Sequence, residues 1–102
     1  MSTLHTINKS PFERGSTATA FGHVLKGDAV LMIEDGVLGA RKRGTFAKSI
    51  AESRARCEVY ALGPDVAARG MKPDDLAEGV KVVGYDGFVD LVASHARVCA
   101  WL

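Results

Sequence analysis

Short runs of consecutive apolar residues recur along the chain, and the clearest is Ala29–Ile33, which follows Gly27-Asp28 and ends at Glu34. An apolar run of this length without polar alternation is typical of a strand covered on both faces, as in parallel sheets. Similar runs occur at Leu4–Ile7, Val59–Leu62, Val80–Val83 and Val98–Leu102. The pattern therefore predicts five strands.

Helical signals fill the segments between these runs. Ser10 is a candidate N-cap, Pro11 occupies the first helical position, and Glu13 is placed to complete a capping box. Further helices are predicted in the second half of 37–56 and over 63–70. Asp86 is expected to cap another helix, whose inward-facing residues are Phe88, Leu91, Val92 and His95. Strands that alternate with such helices imply right-handed βαβ units. We therefore predict a three-layer α/β/α fold with a five-stranded, mainly parallel sheet, in a single domain over residues 1–102.

Composition and charge narrow the possible functions. The 102 residues suffice for one core, and 47% hydrophobic with 25% charged residues is an ordinary globular composition. A formal net charge of +1 gives no global field that would attract nucleic acid or an anionic membrane. No apolar segment has the length of a membrane span, and no basic leader precedes an apolar stretch. We expect a cytoplasmic protein that binds neither membranes nor, directly, nucleic acid.

Acidic residues follow the predicted strands at the carboxyl edge of the sheet, where parallel sheets place their sites. They are Glu34, Asp35, Asp65 and Asp86. Oxygen ligands suit magnesium or calcium, so a hard-metal site is one interpretation. The interpretation that we favour is that each aspartate caps the helix behind it. Because both standard glycine-rich phosphate loops are also absent from the sequence, we predict no cofactor and no metal.

The chain contains two cysteines, Cys57 and Cys99, which are too few and too unpatterned for a disulfide framework. Cys57 follows Arg54 and Arg56, whose charges would lower the pKa of its thiol, so it is a candidate sulfur carrier. The interpretation that we favour for both cysteines is a buried, inert thiol that packs as a small apolar side chain.

The histidines, a basic triplet and a C-terminal tryptophan also have structural interpretations. His5, His23 and His95 have no acidic partner at a spacing that indicates a proton relay, so we interpret His5 and His95 as structural and His23 as a surface residue. The triplet Arg41–Arg43 offers charge for RNA phosphate, but such a short run is more often a solvated loop. Trp101 indicates that the last strand is docked in the sheet or against another subunit.

Several segments, taken together and in order, resemble the TusB/DsrH family. They are 4–14 (LHTINKSPFER), 27–37 (GDAVLMIEDGV), 60–65 (YALGPD), 68–70 (ARG), 85–91 (YDGFVDL) and 100–102 (AWL). The resemblance spans essentially the whole chain, and the first and last segments are its most specific parts. It implies a DsrE-like three-layer fold.

The resemblance further implies an accessory subunit of a heterohexameric sulfurtransferase complex with DsrE/TusD-like and DsrF/TusC-like subunits. Such assemblies relay persulfide sulfur toward 2-thiouridine at the tRNA wobble position or during sulfur oxidation, with TusE/DsrC-like and TusA-like carriers as transient contacts. Their principal sulfur-carrying cysteine belongs to a sister subunit, and Ala20 stands where DsrH-type members can carry a cysteine. We therefore expect a subunit without its own catalytic nucleophile. The alternatives are an autonomous persulfide carrier that uses Cys57 and an RNA-contacting module that uses Arg41–Arg43.

Overall fold

The computed structural model describes residues 2–10, 15–44, 46–53 and 55–101. Its strands are β1 (Thr3–Ile7), β2 (Ala29–Met32), β3 (Glu58–Leu62), β4 (Val80–Val83) and β5 (Arg97–Trp101). They form one five-stranded sheet in the order β4-β3-β2-β1-β5, in which each neighbouring pair is parallel. The predicted α/β fold with a five-stranded sheet is confirmed, and the described sheet is wholly rather than mainly parallel.

The described helices are α1 (Ser16–His23), α2 (Ala47–Ser53), α3 (Gly63–Ala68), α4 (Tyr85–Ser94) and the 3₁₀ helices Glu34–Ala40 and Pro73–Asp75. Of the predicted capping box, residues 11–14 lie outside the described residues, and α1 follows Gly15 without a side-chain cap. The prediction that Asp86 caps a helix is wrong, because Gly84 is the N-cap of α4 and Asp86 lies in its first turn. None of the described helices has the length and apolar character needed to cross a bilayer.

Helices cover the two faces of the sheet unequally. The larger core includes Phe21 of α1, Ile50 of α2 and Val66 of α3. In the smaller core, Leu91 of α4 packs against strand residues such as Leu31. Among the described helices, α4 alone contributes to this second core. One face of the sheet is therefore covered by several elements and the other by a single described helix.

The 3₁₀ helix Glu34–Ala40 lies directly on the end of β1. The N–H of Ile33 donates to the carbonyl oxygen of Ile7 at 2.9 Å. A Cβ atom added to Gly36 would overlap that same oxygen and lie 2.8 Å from the Ile7 carbonyl carbon. Only glycine permits such a close approach of two backbone segments. This contact positions the acidic residues that follow β2 at the carboxyl edge of the sheet.

Candidate functional site

Cys57 immediately precedes β3, at the edge of the sheet opposite to the carboxyl ends of the strands. Its side chain is only 6% exposed and belongs to the larger core. Burial raises the pKa of the Cys57 thiol, and the opposing effects of Ser53 and Arg56 do not compensate for it. The favoured interpretation that Cys57 is buried is confirmed. The alternative of a lowered pKa is wrong, because Arg56 acts in that direction too weakly; Arg54 lies outside the described residues. A protonated, buried thiol is a poor nucleophile.

Cys99 and Ala20 are the other positions that the sequence raised for a sulfur carrier. Cys99 lies in the middle of β5, beside His5 of β1. Cys99 is partly exposed, so the prediction that it is buried is wrong. The reason is that β5 lies at an edge of the described sheet and pairs with a strand on one side only. Ala20, which stands where DsrH-type proteins can carry a cysteine, is fully buried in the larger core. A cysteine there would also face the core rather than a carrier protein.

A buried hydrogen-bond network ties β5 to the rest of the sheet. Asp28 accepts hydrogen bonds from the backbone N–H groups of Thr3 (2.9 Å) and Leu25 (3.0 Å). The same carboxylate lies 3.0 Å from Nε2 of His5, and the indole N–H of Trp101 donates to Nδ1 of His5 at 3.1 Å. Because an indole N–H can only donate, Nδ1 accepts, and Nε2 carries the hydrogen that is donated to Asp28.

This network is structural rather than catalytic. Both ring nitrogens of His5 are engaged and its side chain is 6% exposed, so His5 has no free nitrogen for proton transfer. Desolvation would raise the pKa of Asp28, but hydrogen bonds from Leu25, His5 and Thr3 outweigh it and hold this pKa below its ordinary value. Trp101 thus docks the last strand in the sheet, one of the two arrangements expected from the sequence.

His23 and His95 lie at the C-terminal ends of α1 and α4. Nδ1 of His23 is 2.8 Å from the carbonyl oxygen of Thr19, and its ring packs on Trp101 at a centroid distance of 5.4 Å. Nδ1 of His95 is 2.7 Å from the carbonyl oxygen of Leu91. Each ring nitrogen therefore donates to a carbonyl oxygen four residues earlier in the same helix.

The acidic residues at the carboxyl edge link neighbouring loops. Asp65 accepts a hydrogen bond from the backbone N–H of Glu34 at 2.7 Å. The guanidinium of Arg69 bonds Asp35 at 3.0 Å and approaches Asp65 at 3.5 Å, so it joins α3 to the preceding 3₁₀ helix. The prediction that Asp35 and Asp65 each cap the helix behind them is wrong, because Ile33 and Leu62 are the N-caps and both aspartates lie in the first turn. Within residues 2–10, 15–44, 46–53 and 55–101, no three or more His, Cys, Asp or Glu side chains are grouped to hold a metal ion.

The basic triplet Arg41, Lys42 and Arg43 is exposed on a loop that pairs with the segment before β4. Arg41 forms an isolated antiparallel bridge with Leu76, and the N–H of Lys42 donates to the carbonyl oxygen of Asp75 at 2.7 Å. The triplet lines one open cleft together with the carboxylates of Asp74 and Asp75. These carboxylates offset much of the positive charge of the triplet. Because binding of nucleic-acid phosphates depends on such charge, the loop is poorly suited to it.

The described residues include six large hydrophobic side chains that are exposed, and three of them lie on α4: Tyr85 (62% exposed), Val89 (66%) and Val92 (41%). Together with Phe88 and Ala93 they line an apolar depression of about 350 Å³, and these five residues are called the α4 surface below. The prediction that Val92 faces inward is wrong. Since a helix that is apolar on both sides is normally covered on both sides, this surface is a candidate interface.

Comparisons with known proteins point to one family. A model of the family described as "DsrH like protein" matches residues 9–98. A curated relative, Protein TusB of Pectobacterium carotovorum subsp. carotovorum, is 35% identical over 98 residues, which cover 96% of this chain and 99% of the relative. Protein TusB of Escherichia coli is 31% identical over 102 residues, with the same coverage of both chains.

Solved structures share the fold at lower identity. The ychN protein from E. coli superposes with a TM-score of 0.82 at 13% identity, over 98% of this chain and 99% of that one. A protein of unknown function from Methanobacterium thermoautotrophicum gives a TM-score of 0.75 at 19% identity, over 96% of both chains. At such identities the likeness extends to the fold alone.

Proposed function

The chain belongs to the DsrH-like protein family, and on this premise we propose that it is an accessory subunit of a sulfur-relay complex and has no catalytic nucleophile of its own. The observation that carries this proposal is the state of Cys57. Its thiol is buried at the amino edge of the sheet, and burial raises its pKa. A sulfur carrier needs an accessible thiolate, which this site does not supply. The sulfur is then carried by cysteines of other subunits.

We propose that the partners are a DsrE/TusD-like and a DsrF/TusC-like subunit in a heterohexamer, with TusE/DsrC-like and TusA-like carriers as transient contacts. Support comes from the surface of the chain. Parallel sheets normally have both faces covered, whereas one face of this sheet is covered by α4 alone among the described helices. The α4 surface also leaves three large apolar side chains exposed, those of Tyr85, Val89 and Val92, and grouped exposed apolar side chains are typical of protein interfaces.

We propose tRNA wobble-uridine 2-thiolation as the pathway, because the curated relatives at 31% and 35% identity are named TusB. Sulfur oxidation is the second candidate, favoured by the family model named DsrH. We also propose a cytoplasmic location, where unpaired thiols such as Cys57 and Cys99 stay reduced. Loss of 2-thiouridine from the tRNA of a deletion strain would distinguish the first pathway from the second.

Co-expression tests the proposed assembly. We expect the chain to co-purify in a stable complex with the sister subunits encoded beside its gene, and to self-associate or precipitate when it is expressed alone, since its apolar surface then lacks a partner. Size-exclusion chromatography with light scattering measures both outcomes. Recovery of a free, soluble monomer from the co-expression would contradict the proposal.

A further inference from the structure

We propose that the α4 surface docks on a sister subunit whose facing surface is apolar and bordered by lysine or arginine side chains. This inference rests on the proposed function, because it names the contact through which the chain would join the complex. Three observations support it: the incomplete cover of the sheet, the fixed orientation of α4, and the charge along one border of the helix.

Exposed apolar residues continue from α4 onto the sheet. In the register of β1 with β5, Leu4 pairs with Val98 and Thr6 pairs with Ala100. Since Leu4 belongs to the core beneath α4, Val98 and Ala100 lie on the same face of the sheet as this helix. Val98 is 48% exposed, and Ala100 is also exposed. A partner on α4 would therefore also lie close to the part of β5 that the helix leaves open.

The orientation of α4 is set by a close contact with the sheet. A Cβ atom added to Gly87 would lie 2.8 Å from Cβ of Val83, so the helix backbone packs tightly on the end of β4. On the same inward side, Leu91 is buried in the smaller core. Tyr85 and Val89 lie on the opposite side of the helix at a spacing of four residues. The helix cannot rotate to bury them without losing its contacts with the sheet.

Charge favours a different subunit over an antiparallel pairing of α4 with a second copy of this chain. Asp86 and Asp90 are exposed and lie along one border of the apolar stripe, and α4 contains no lysine or arginine. In an antiparallel two-fold pairing of α4 with itself, the two acidic borders would lie on the same side and repel each other. A partner with a basic border instead forms complementary charge pairs with both aspartates.

The substitution Val89→Asp tests the apolar part of this contact, and Leu25→Asp is the matched control. The two residues are exposed to the same degree, 66% and 67%, but Leu25 lies between α1 and β2 and is not part of the α4 surface. In binding measurements with the purified sister subunits, we expect Val89→Asp to weaken affinity at least about 30-fold, since central apolar contacts dominate interfaces. Leu25→Asp should change affinity less than about three-fold. Thermal melts establish that both variants fold.

Charge reversal tests the border. We expect Asp90→Lys to weaken binding about five-fold at low salt and to reduce its salt dependence, because the interaction with the partner's basic residues is lost. Asp74→Lys, on the 3₁₀ helix Pro73–Asp75, is the control for net charge and should leave the affinity unchanged. Equal effects of the two reversals would overturn the proposed charge complementarity.

The remaining outcomes separate this inference from the proposed function. If the wild-type chain binds its sister subunits and Val89→Asp binds equally well, the α4 surface is not the interface, although the proposed assembly stands. If the wild-type chain does not bind them, the proposed function itself fails. If the chain alone forms a dimer that Val89→Asp dissociates, the occupant is a second copy and the inference is overturned.

Discussion

Replacing Asp28 with alanine is expected to lower the free energy of unfolding by about 4 kcal/mol, because one buried and two partly buried donors lose their acceptor together. These donors are the backbone N–H groups of Thr3 and Leu25 and Nε2 of His5. Loss of the carboxylate also removes the group that orients the imidazole toward Trp101. Urea denaturation measures the effect, and Asp74→Ala, at an exposed position, should stay within about 0.5 kcal/mol of wild type.

The same carboxylate gives the fold a pH dependence with a defined sign. The pKa of Asp28 is lowered in the folded state, so its contribution to stability is fully present above the ordinary pKa and is lost as the pH falls below about 4. The variant Asp28→Asn keeps the shape of the side chain without the charge. The stability difference between wild type and this variant should therefore shrink on acidification. A difference that grew at low pH would contradict the assigned role of Asp28.

Substitution of Gly36 by alanine should cost about 3 kcal/mol, since the new Cβ would overlap a backbone oxygen that cannot rotate away. That oxygen, of Ile7, already accepts the hydrogen bond of Ile33, so the end of β1 is fixed from a second direction. The 3₁₀ helix that follows β2 would have to move away from the sheet and take the Asp35–Arg69 ion pair with it. Chemical denaturation, with the m-value as a check on cooperativity, measures the loss.

Gly22→Ala is the control for Gly36→Ala, because it is expected to raise the free energy of unfolding rather than lower it. Gly22 lies in α1, is exposed, and has no atom within 4 Å of the position that a Cβ would occupy. Alanine is the better helix former, so Gly22→Ala should raise the free energy of unfolding by about 0.5 kcal/mol. If Gly22→Ala and Gly36→Ala lowered the free energy of unfolding by similar amounts, the close approach of Gly36 to β1 would not be the cause of the loss.

The strands could be predicted because each is a local apolar run, and pairing in a parallel sheet preserves that signal. The capping box predicted at Ser10–Glu13 stays a prediction, because residues 11–14 lie outside the described residues. The orientation of α4 was misread at Val92. Val89 and Tyr85 make the helix apolar on its outer side as well, so the apolar pattern alone does not define which side faces the sheet.

The contacts that shape the candidate site are long-range, which explains why sequence reasoning missed them. His5 and Asp28 are 23 residues apart, and Asp35 and Arg69 are 34 apart. No spacing rule relates residues on neighbouring strands and loops until the strand order is known. Burial of Cys57 was the favoured interpretation, but the direction of its pKa shift required the structure, because desolvation outweighs the neighbouring Arg56.

Persulfide transfer through a complex that contains a cysteine-free form of this chain tests the central claim most directly. Purified complexes of the sister subunits with either the wild-type chain or the Cys57→Ala, Cys99→Ala double variant would receive sulfur from a persulfide donor. We expect transfer rates that agree within about two-fold, and intact-protein mass spectrometry should find the added sulfur on a sister subunit alone. Loss of transfer in a variant complex that still assembles, or a persulfide on Cys57 or Cys99, would contradict the account.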